Sequence, residues 1–197
     1  MSGQVTTVYD GFCKVEKRLV DKHELVRTTD AAAVLVCNTR TNNVIFITQD
    51  RFPMIRDDNP NGTVTEVVAG RFDRPVSLVD LLILEVYEEI GIQLNPRNLV
   101  ILNDAQPLAP SPGILTERIG VAVCFVGFDE SDGADKTYGV DGEKIKRVSV
   151  PVRQLDRMIY SDLKTWGLAQ YLQRMLATLG RGDPEFDLAR LKTELVG

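Results

Sequence analysis

The chain has 197 residues, of which 44% are hydrophobic, so it can form one well-buried globular domain with a few additional elements. Its formal net charge of −5 has no long run of either sign behind it, which argues against a nucleic acid or an anionic membrane surface as the main partner. The polar N-terminus and the lack of an apolar stretch of about eighteen residues predict neither secretion nor a membrane span. We therefore expect a cytoplasmic protein that binds neither nucleic acid nor membranes.

Short alternating patterns occupy residues 1–30 and suit strands that lie on a surface or on a partner. We interpret this segment as an N-terminal β-appendage to a main domain at residues 31–197. Within that domain, the apolar and β-branched segments at 31–37 and 44–48 flank turn residues, which predicts a hairpin. Residues 63–69 predict a further strand, which ends at the glycine that follows.

The clearest helix is predicted over 77–90, where no glycine or proline interrupts the chain. Ser77 suits the N-cap position, and Gly91 can close the helix in a left-handed conformation. The later part of the chain is predicted to contain a short apolar run at 99–102, a buried strand at 119–128, an acidic loop at 129–142, a strand near 146–150, and helices at 152–159, 162–179 and from 184 onward. Strands and helices mixed in this order predict an α/β (α+β) fold with a mixed sheet and helices on both faces.

Three carboxylates stand out in the 77–90 helix, because the preceding residues are apolar on every side and predict that the helix is buried. Glu88 and Glu89 follow Glu85 closely enough to share one side of the helix, where like charges repel. They also lie at the C-terminal end, where the helix dipole disfavours anions. Divalent cations would relieve this repulsion, and hard oxygen ligands suit Mg²⁺ or Mn²⁺. From the helix alone, a solvated final turn explains the pattern equally well.

The spacing between these glutamates and an upstream glycine resembles the Nudix box, whose pattern is Gly, five residues, Glu, seven residues, then Arg-Glu-apolar-x-Glu-Glu-x-Gly-apolar. The positions that match are Gly70, Glu85, Val86, Glu88, Glu89, Gly91 and Ile92. Two positions depart from the pattern, because its first glutamate is Val76 here and its arginine is Leu84. In the family that arginine helps to orient neighbouring carboxylates. The match to the box therefore favours Glu85, Glu88 and Glu89 as metal ligands, but it does not indicate the catalytic rate.

The resemblance implies a Nudix-type α/β/α sandwich at residues 31–197 and hydrolysis of a diphosphate bond, with Mg²⁺, or Mn²⁺, as the cofactor. Glu85, Glu88 and Glu89 would hold the metal, and Glu85 would also count as a catalytic residue. In family members that act on ADP-ribose, the backbone carbonyl before the box glycine is a further ligand, which would be that of Ala69 here.

A second element, outside the box, resembles the SPG-x3-E-R segment of ADP-ribose pyrophosphatases, through Ser111, Pro112, Gly113, Glu117 and Arg118. In those enzymes this loop faces the substrate, which implies that Ser111, Gly113 and Glu117 contact it. The segment DRPVSL before the helix lacks the first acid of the box and resembles instead the UDP-sugar branch. The resemblance thus implies a nucleotide-sugar pyrophosphatase whose substrate is ADP-ribose, split into AMP and ribose 5-phosphate, or a UDP-sugar.

The acidic loop ends where ADP-ribose enzymes supply a catalytic base and another metal contact. By that resemblance, Glu143 is the first candidate for the base and Asp141 the second. Arg51 could clamp phosphate oxygens, since an arginine offers a planar fork of donors. In this family the N-terminal strands commonly swap across a homodimer and help to build the site, which implies that residues 1–30 dimerise.

Two other functions stay open at this level. The departures at Val76 and Leu84 are also compatible with a catalytically weak Nudix-fold module that binds nucleotide sugars without cleaving them. Hydrolysis of capped RNA or of a dinucleoside polyphosphate is disfavoured, because the chain is acidic and has no basic, aromatic-rich stretch.

Overall fold

A computed structural model describes residues 4–103, 106–140 and 142–197. In these residues the strands, in chain order, are β1 Val5–Asp10, β2 Lys14–Arg18, β3 Glu24–Arg27, β4 Ala31–Asn38, β5 Asn43–Asp50, β6 Thr63–Glu66, β7 Val68–Arg71, β8 Leu99–Ile101, β9 Ile119–Val126 and β10 Lys146–Pro151. The α-helices of the same residues are α1 Leu78–Ile90, α2 Leu163–Gly180 and α3 Leu188–Val196. Short 3-10 helices cover Phe52–Met54, Pro96–Asn98 and Val152–Arg157.

The main sheet has the strand order β10-β5-β4-β9-β8, with β6 paired to β5 and β7 paired to β4. The central strands β4 and β9 run parallel, while the other pairs are antiparallel. Every residue of β4 and β9 is buried, because helices cover both faces of the sheet, and this explains why both sequences are continuously apolar. The mixed sheet confirms the predicted α/β (α+β) class.

Each face of the sheet has its own hydrophobic core. On one face, α1 packs against alternate residues of β5, Ile45 and Ile47. On the other face, α2 and α3 pack against Phe46 of β5 and Phe125 of β9. Neighbouring residues of β5 enter different cores because successive side chains of a strand point to opposite faces. The three layers confirm the predicted α/β/α sandwich.

Strands β4 and β5 separate along their length, and β6 and β7 fill the gap between them. Near their connecting turn, residues 43–45 of β5 pair with β4, but residues 47–50 pair with β6. At the other end of β4, residues 31–34 pair with β7. The chain moves from one partner strand to the other at Val67, whose N–H donates to Thr165 Oγ1 of α2 at 2.9 Å.

The strand predicted at 63–69 is therefore two short strands, because Val67 bonds to a helix side chain and not to a neighbouring strand. The strand does not end at Gly70 either, since β7 continues to Arg71, which pairs with Ala31. This arrangement places the backbone of Ala69 and Gly70 inside the sheet, on the edge that meets α1.

Helix α1 begins and ends as predicted. Ser77 is its N-cap and its hydroxyl accepts a hydrogen bond from the N–H of Asp80 at 3.1 Å. Gly91 ends the helix with a φ of 71°, in the left-handed region that favours glycine. Its N–H donates to the Tyr87 carbonyl at 2.9 Å. The helix is buried along the side that includes Val86, so that the glutamates of its last turns are carried against the sheet.

The later elements differ in detail from the prediction. The helix predicted at 152–159 is a short 3-10 segment that buries one side chain, Leu155, and is too short to repay the nucleation of an α-helix. Helix α3 begins at 188 and not at 184, because Asp187 is its N-cap and accepts a hydrogen bond from the N–H of Arg190. Within the described ranges, no helix is both long and apolar enough to cross a membrane.

Strands β1, β2 and β3 form a separate antiparallel sheet. Its link to the main sheet includes Val26, whose N–H donates to the Ile114 carbonyl at 2.8 Å and whose carbonyl accepts from the N–H of Thr116 at 3.1 Å. Every residue of β1 is exposed. Strands are thus present where the sequence predicted them, while the division into an appendage at 1–30 and a domain at 31–197 stays a prediction.

The turn between β4 and β5 is fixed by one half-buried carboxylate, that of Glu130. It accepts hydrogen bonds from the side chains of Asn38, Thr41, Asn43 and Ser149. Burial by itself would raise the pKa of Glu130, but these four donors outweigh burial and lower it. The ionised carboxylate thereby joins the hairpin to β10 and to the loop that follows β9.

We predict that Glu130→Ala lowers the free energy of unfolding by about 1–3 kcal/mol, because it leaves four donors without their acceptor. Since the folded pKa is lowered, this contribution is present above the unfolded pKa of the carboxyl and is lost as the pH falls. Urea denaturation at neutral and at acidic pH would measure both effects. Asp135→Ala, which removes an exposed acid from the same loop, is the control. Equal losses in the two variants would contradict the prediction.

Candidate functional site

A cavity of about 1360 Å³ opens where β6 and β7, the C-terminal half of α1 and the start of α2 meet. The sequence-predicted site residues that line it are Arg51, Ala69, Glu85, Glu88, Glu89, Glu117 and Glu143. The fold thus gathers residues from both sides of the sheet and from the loop before β10 into one concave surface. Its size is sufficient for a small organic ligand.

Glu85 lies directly against β7, and the box glycine is what allows this approach. A Cβ added at Gly70 would overlap the Glu85 carboxylate. The pKa of Glu85 is raised to about 7, mainly by burial and then by the neighbouring charges of Glu88 and Glu143. A side chain at this position would therefore displace the Glu85 carboxylate from β7.

Glu89 is the most deeply placed carboxylate of the helix, with only 5% of its surface exposed. Its Oε2 accepts a hydrogen bond from the backbone N–H of Ala69 at 3.2 Å. Burial raises the pKa of Glu89 to about 9, although this hydrogen bond lowers it, and the charges of Glu85 and Glu143 raise it further. The surroundings of Glu85 and Glu89 thus favour the neutral carboxyl over the ionised carboxylate.

The chemistry of this donor set suits a hard divalent cation. Glu85 and Glu89 present carboxylate oxygens beside the β7 backbone at Ala69, and oxygen ligands of this kind are those that Mg²⁺ and Mn²⁺ prefer. Burial is the main cause of the raised pKa values of the two acids and repulsion between carboxylates adds to it, and a cation would offset both. In the described part of the chain, no three acidic, histidine or cysteine side chains already form a complete ligand group.

Arg51 is held in place by Glu66 of β6, which the sequence did not single out. The Nε and Nη2 atoms of Arg51 donate to the two oxygens of Glu66 at 2.9 and 3.0 Å. Glu66 is 5% exposed, and its hydrogen bonds are the main cause that raises the pKa of Arg51. A bidentate pair of this type fixes the plane of the guanidinium, so Arg51 enters the cavity in a set orientation.

Glu143 belongs to the same electrostatic cluster as the helix glutamates. It lines the cavity, and its charge contributes to raising the pKa values of both Glu85 and Glu89. Glu117, from the loop before β9, also lines the cavity. The structure therefore brings the first candidate base and one predicted substrate contact to the predicted metal ligands.

Three predicted site residues are not placed at the cavity. Ser111 and Gly113 are absent from its lining, and the carbonyl of Ser111 instead accepts from the N–H groups of Ile114 and Leu115 at 3.1 and 2.9 Å. These bonds form the turn that sets Leu115 beside Val26 of β3, so the segment has a local structural role here. Asp141, the second candidate base, lies outside the described residues.

The cavity has a second polar wall that sequence analysis missed, at the start of α2. Lys164 and Asp162 both line it, and Lys164 Nζ lies 2.7 Å from Asp162 Oδ1. Burial would raise the pKa of Asp162, but its bonds with Lys164 and Thr165 lower it. An acid before a helical stretch is an N-cap signal, which could have located Asp162 at a helix start but not at a cavity.

Phe12, from the turn between β1 and β2, is another lining residue without a sequence signal. Its ring is 91% exposed, and the guanidinium of Arg71 lies 4.8 Å from the ring centroid. Arg71 is held by a hydrogen bond from Nε to Thr29 Oγ1 at 3.0 Å. The N-terminal sheet thus contributes an aromatic surface to the rim of the cavity.

We predict that, without metal, the free energy of unfolding decreases as the pH rises from about 5 to about 9. The folded pKa values of Glu85 and Glu89 are about 7 and about 9, above the ordinary value of 4.5. The two protonated acids therefore contribute fully to the free energy of unfolding below pH 4.5, and this contribution is lost as the pH rises and each acid ionises in the folded protein. Urea denaturation in a chelator should show this slope, and Glu89→Gln should flatten its alkaline part.

Addition of Mg²⁺ at alkaline pH should restore stability to the natural chain more than to Glu89→Gln. Glu185→Gln, which changes an exposed acid far from the cavity, should keep the natural slope. If the free energy of unfolding of Glu89→Gln depends on pH as in the natural chain, ionisation of Glu89 is not the cause of the slope.

The chain is similar to proteins of known name. No protein-family model matches the chain. A GDP-mannose pyrophosphatase from Cronobacter sakazakii is 30% identical over 156 residues, which cover 77% of this chain and 78% of that protein. Proteins of the same name from Yersinia enterocolitica and Escherichia coli are 31% identical over 148 residues and 28% identical over 156 residues, covering 73% and 78% of their own lengths. The chain therefore belongs to the Nudix family, within its nucleotide-sugar hydrolases.

Proposed function

We propose that this protein hydrolyses the diphosphate bond of a nucleoside-diphosphate sugar, with Mg²⁺, or Mn²⁺, as its cofactor. The observation that carries the proposal is the cluster of Glu85, Glu89 and Glu143 beside Arg51 in one large cavity. The similarity to GDP-mannose pyrophosphatases supports the same reaction class. A cytoplasmic location stays a prediction.

Glu85, Glu88 and Glu89, with the carbonyl of Ala69, are the groups that would hold the metal. When bound, Mg²⁺ would neutralise the diphosphate and favour ionisation of the attacking water. Arg51 would donate to a phosphate oxygen through Nη1, since Nε and Nη2 are engaged by Glu66. These groups would together lower the charge repulsion that protects a diphosphate from a nucleophile.

Glu143 would accept a proton from the water, and the oxygen of that water would attack one phosphorus atom. The bond between that phosphorus and the bridging oxygen then breaks, and the bridging oxygen leaves with the other phosphate. The products are a nucleoside monophosphate and a sugar phosphate. Asp141 stays an alternative base, and Glu117, which lines the cavity, would contact the ribose side of the substrate.

The choice of sugar nucleotide rests on three observations, each of which favours a different substrate. The names of the relatives favour GDP-mannose. The segment from Ser111 to Arg118 favours ADP-ribose, and the segment DRPVSL favours a UDP-sugar. Because Ser111 and Gly113 lie outside the cavity lining, we place GDP-mannose first among the three.

We also propose a homodimer that forms through the N-terminal sheet. Val5, Val8 and Tyr9 of β1 are each more than half exposed, which is unusual for apolar side chains that lie close together. A second copy that covers this sheet would bury them. Phe12, which lines the cavity in the same segment, would then couple assembly to the substrate site.

A catalytically weak binding module is the second candidate, and the departures from the box are the reason. Val76 packs against the α1-side core, and Leu84 has no charge with which to orient a carboxylate. Such a module would bind a nucleotide sugar in calorimetry and show negligible turnover at any Mg²⁺ or Mn²⁺ concentration.

We predict turnover of GDP-mannose, ADP-ribose or UDP-glucose with Mg²⁺, with GDP-mannose giving the highest kcat/KM. Glu85→Gln and Glu89→Gln should each lower kcat by more than about 100-fold, since even residues behind metal ligands contribute about 10–100-fold. Chromatography of the nucleoside monophosphate would measure the reaction. Glu194→Gln, on the exposed side of α3, should keep natural turnover. Folded Gln variants with natural activity would refute the mechanism.

We predict that the protein sediments with the mass of two chains. Tyr9→Asp should shift the population towards single chains, because it places a charge in the proposed interface. His23→Asp, at an exposed polar position in the connection between β2 and β3, is the control. Natural chains that sediment as single copies at micromolar concentration would contradict the homodimer.

A further inference from the structure

The loop that carries Glu143 is fastened to the end of the glutamate helix. The N–H of Gly139 donates to the backbone carbonyl of Glu88 at 3.0 Å. Glu88 lies in the last turn of α1, where carbonyls have no partner within the helix. The loop therefore supplies a hydrogen bond that the helix end requires, and it does so at one of the predicted metal ligands.

The side chain of Tyr138 makes a second attachment at the same place. Its ring lies so close to Gly91 that a Cβ added there would be 2.7 Å from Cε1 of the ring. On the other side, the guanidinium of Arg147 lies 5.3 Å from the ring centroid. The Tyr138 hydroxyl donates to the Gly133 carbonyl at 3.1 Å. The ring thus packs against both a glycine of the box and an arginine of β10.

Backbone hydrogen bonds also hold Glu143 close to Tyr138. Tyr138 and Ile145 exchange both backbone hydrogen bonds, at 2.8 and 3.0 Å, and so close the loop between them. Within it, the N–H of Glu143 donates to the Val140 carbonyl at 3.0 Å. Gly139 has a φ of 101°, and a Cβ there would be 2.7 Å from Cβ of Glu143. Because these contacts join Tyr138 to Glu143, a shift of the ring on α1 would also shift Glu143.

We propose that Tyr138 is a positioning residue, which sets Glu143 at its working distance from the glutamate helix by packing between Gly91 and Arg147. Tyr138 does not line the cavity, so it acts through Glu143 and not on the substrate. The inference rests on the proposed function and deepens it. The lack of a side chain at Gly91 then has two roles, because it allows the helix to end and also leaves the space that the Tyr138 ring occupies.

The kinetic test compares Tyr138→Ala with Tyr138→Phe. Tyr138→Ala should lower kcat for the best nucleotide sugar by about 10–100-fold, because a misplacement of about 1 Å can cost about 100-fold. Its KM should stay within about threefold of the natural value, since Arg51 and the helix glutamates are unchanged. Tyr138→Phe keeps the ring between Gly91 and Arg147 and should retain more than about half of natural kcat.

Phe186→Ala is a matched control. The ring of Phe186 also packs on a glycine at a helix end, Gly180 of α2, and has the Arg190 guanidinium 5.1 Å from its centroid. It lies away from the cavity, so Phe186→Ala should lower thermal stability to a similar extent while kcat stays natural. An equal fall of kcat in Phe186→Ala and Tyr138→Ala would overturn the proposal, since both would then act through stability alone.

Hydrogen exchange of the Gly139 amide supplies a readout that does not require turnover. The amide should be protected in the natural chain and in Tyr138→Phe, and it should exchange at least about tenfold faster in Tyr138→Ala. Natural protection in Tyr138→Ala, or natural kcat despite lost protection, would overturn the positioning role. If the natural chain cleaves no nucleotide sugar, the proposed function fails, while protection that depends on the ring still supports the fastening of the loop.

Discussion

The close approach of α1 to β7 is the contact on which the site depends. Gly70 has no side chain, and the carboxylate of Glu85 occupies the space that a Cβ would fill. One turn later, Glu89 reaches the N–H of Ala69. Two acids are thereby held beside one strand, largely away from water, where burial and mutual repulsion favour their neutral forms. A divalent cation is the partner that would stabilise both in the ionised form.

The separation of β4 and β5 creates the position in which this contact occurs. Because β6 and β7 fill the gap, the backbone at Ala69 lies within the sheet and is held on the other side by the bond between Val67 and Thr165. Thr165 also bonds to the N-cap Asp162, so the same junction fixes the start of α2. The wall that bears Lys164 is therefore tied to the strand against which the helix glutamates lie.

The departures of the box acquire a physical meaning in this arrangement. The family arginine that orients carboxylates is Leu84 here, and the described residues show Glu89 oriented by a backbone N–H instead. That hydrogen bond lowers the pKa of Glu89 but does not offset its burial. The charge of Arg51 also lowers the pKa of Glu89, but Arg51 is paired with Glu66. The cation that we propose would balance these acids.

The sequence by itself determined the features that depend on neighbouring residues: the limits of α1, whose caps Ser77 and Gly91 are local, and the spacing of the glutamates along one helix face. It also placed β4, β5 and the buried strand β9, because continuous apolar runs are typical of central strands. Only the tertiary structure decided that Glu66 holds Arg51, that Tyr138 packs on Gly91, and that Ser111 and Gly113 stay outside the cavity. These contacts join residues far apart in the chain or depend on which way a loop faces, and hydrophobic periodicity and spacing report neither.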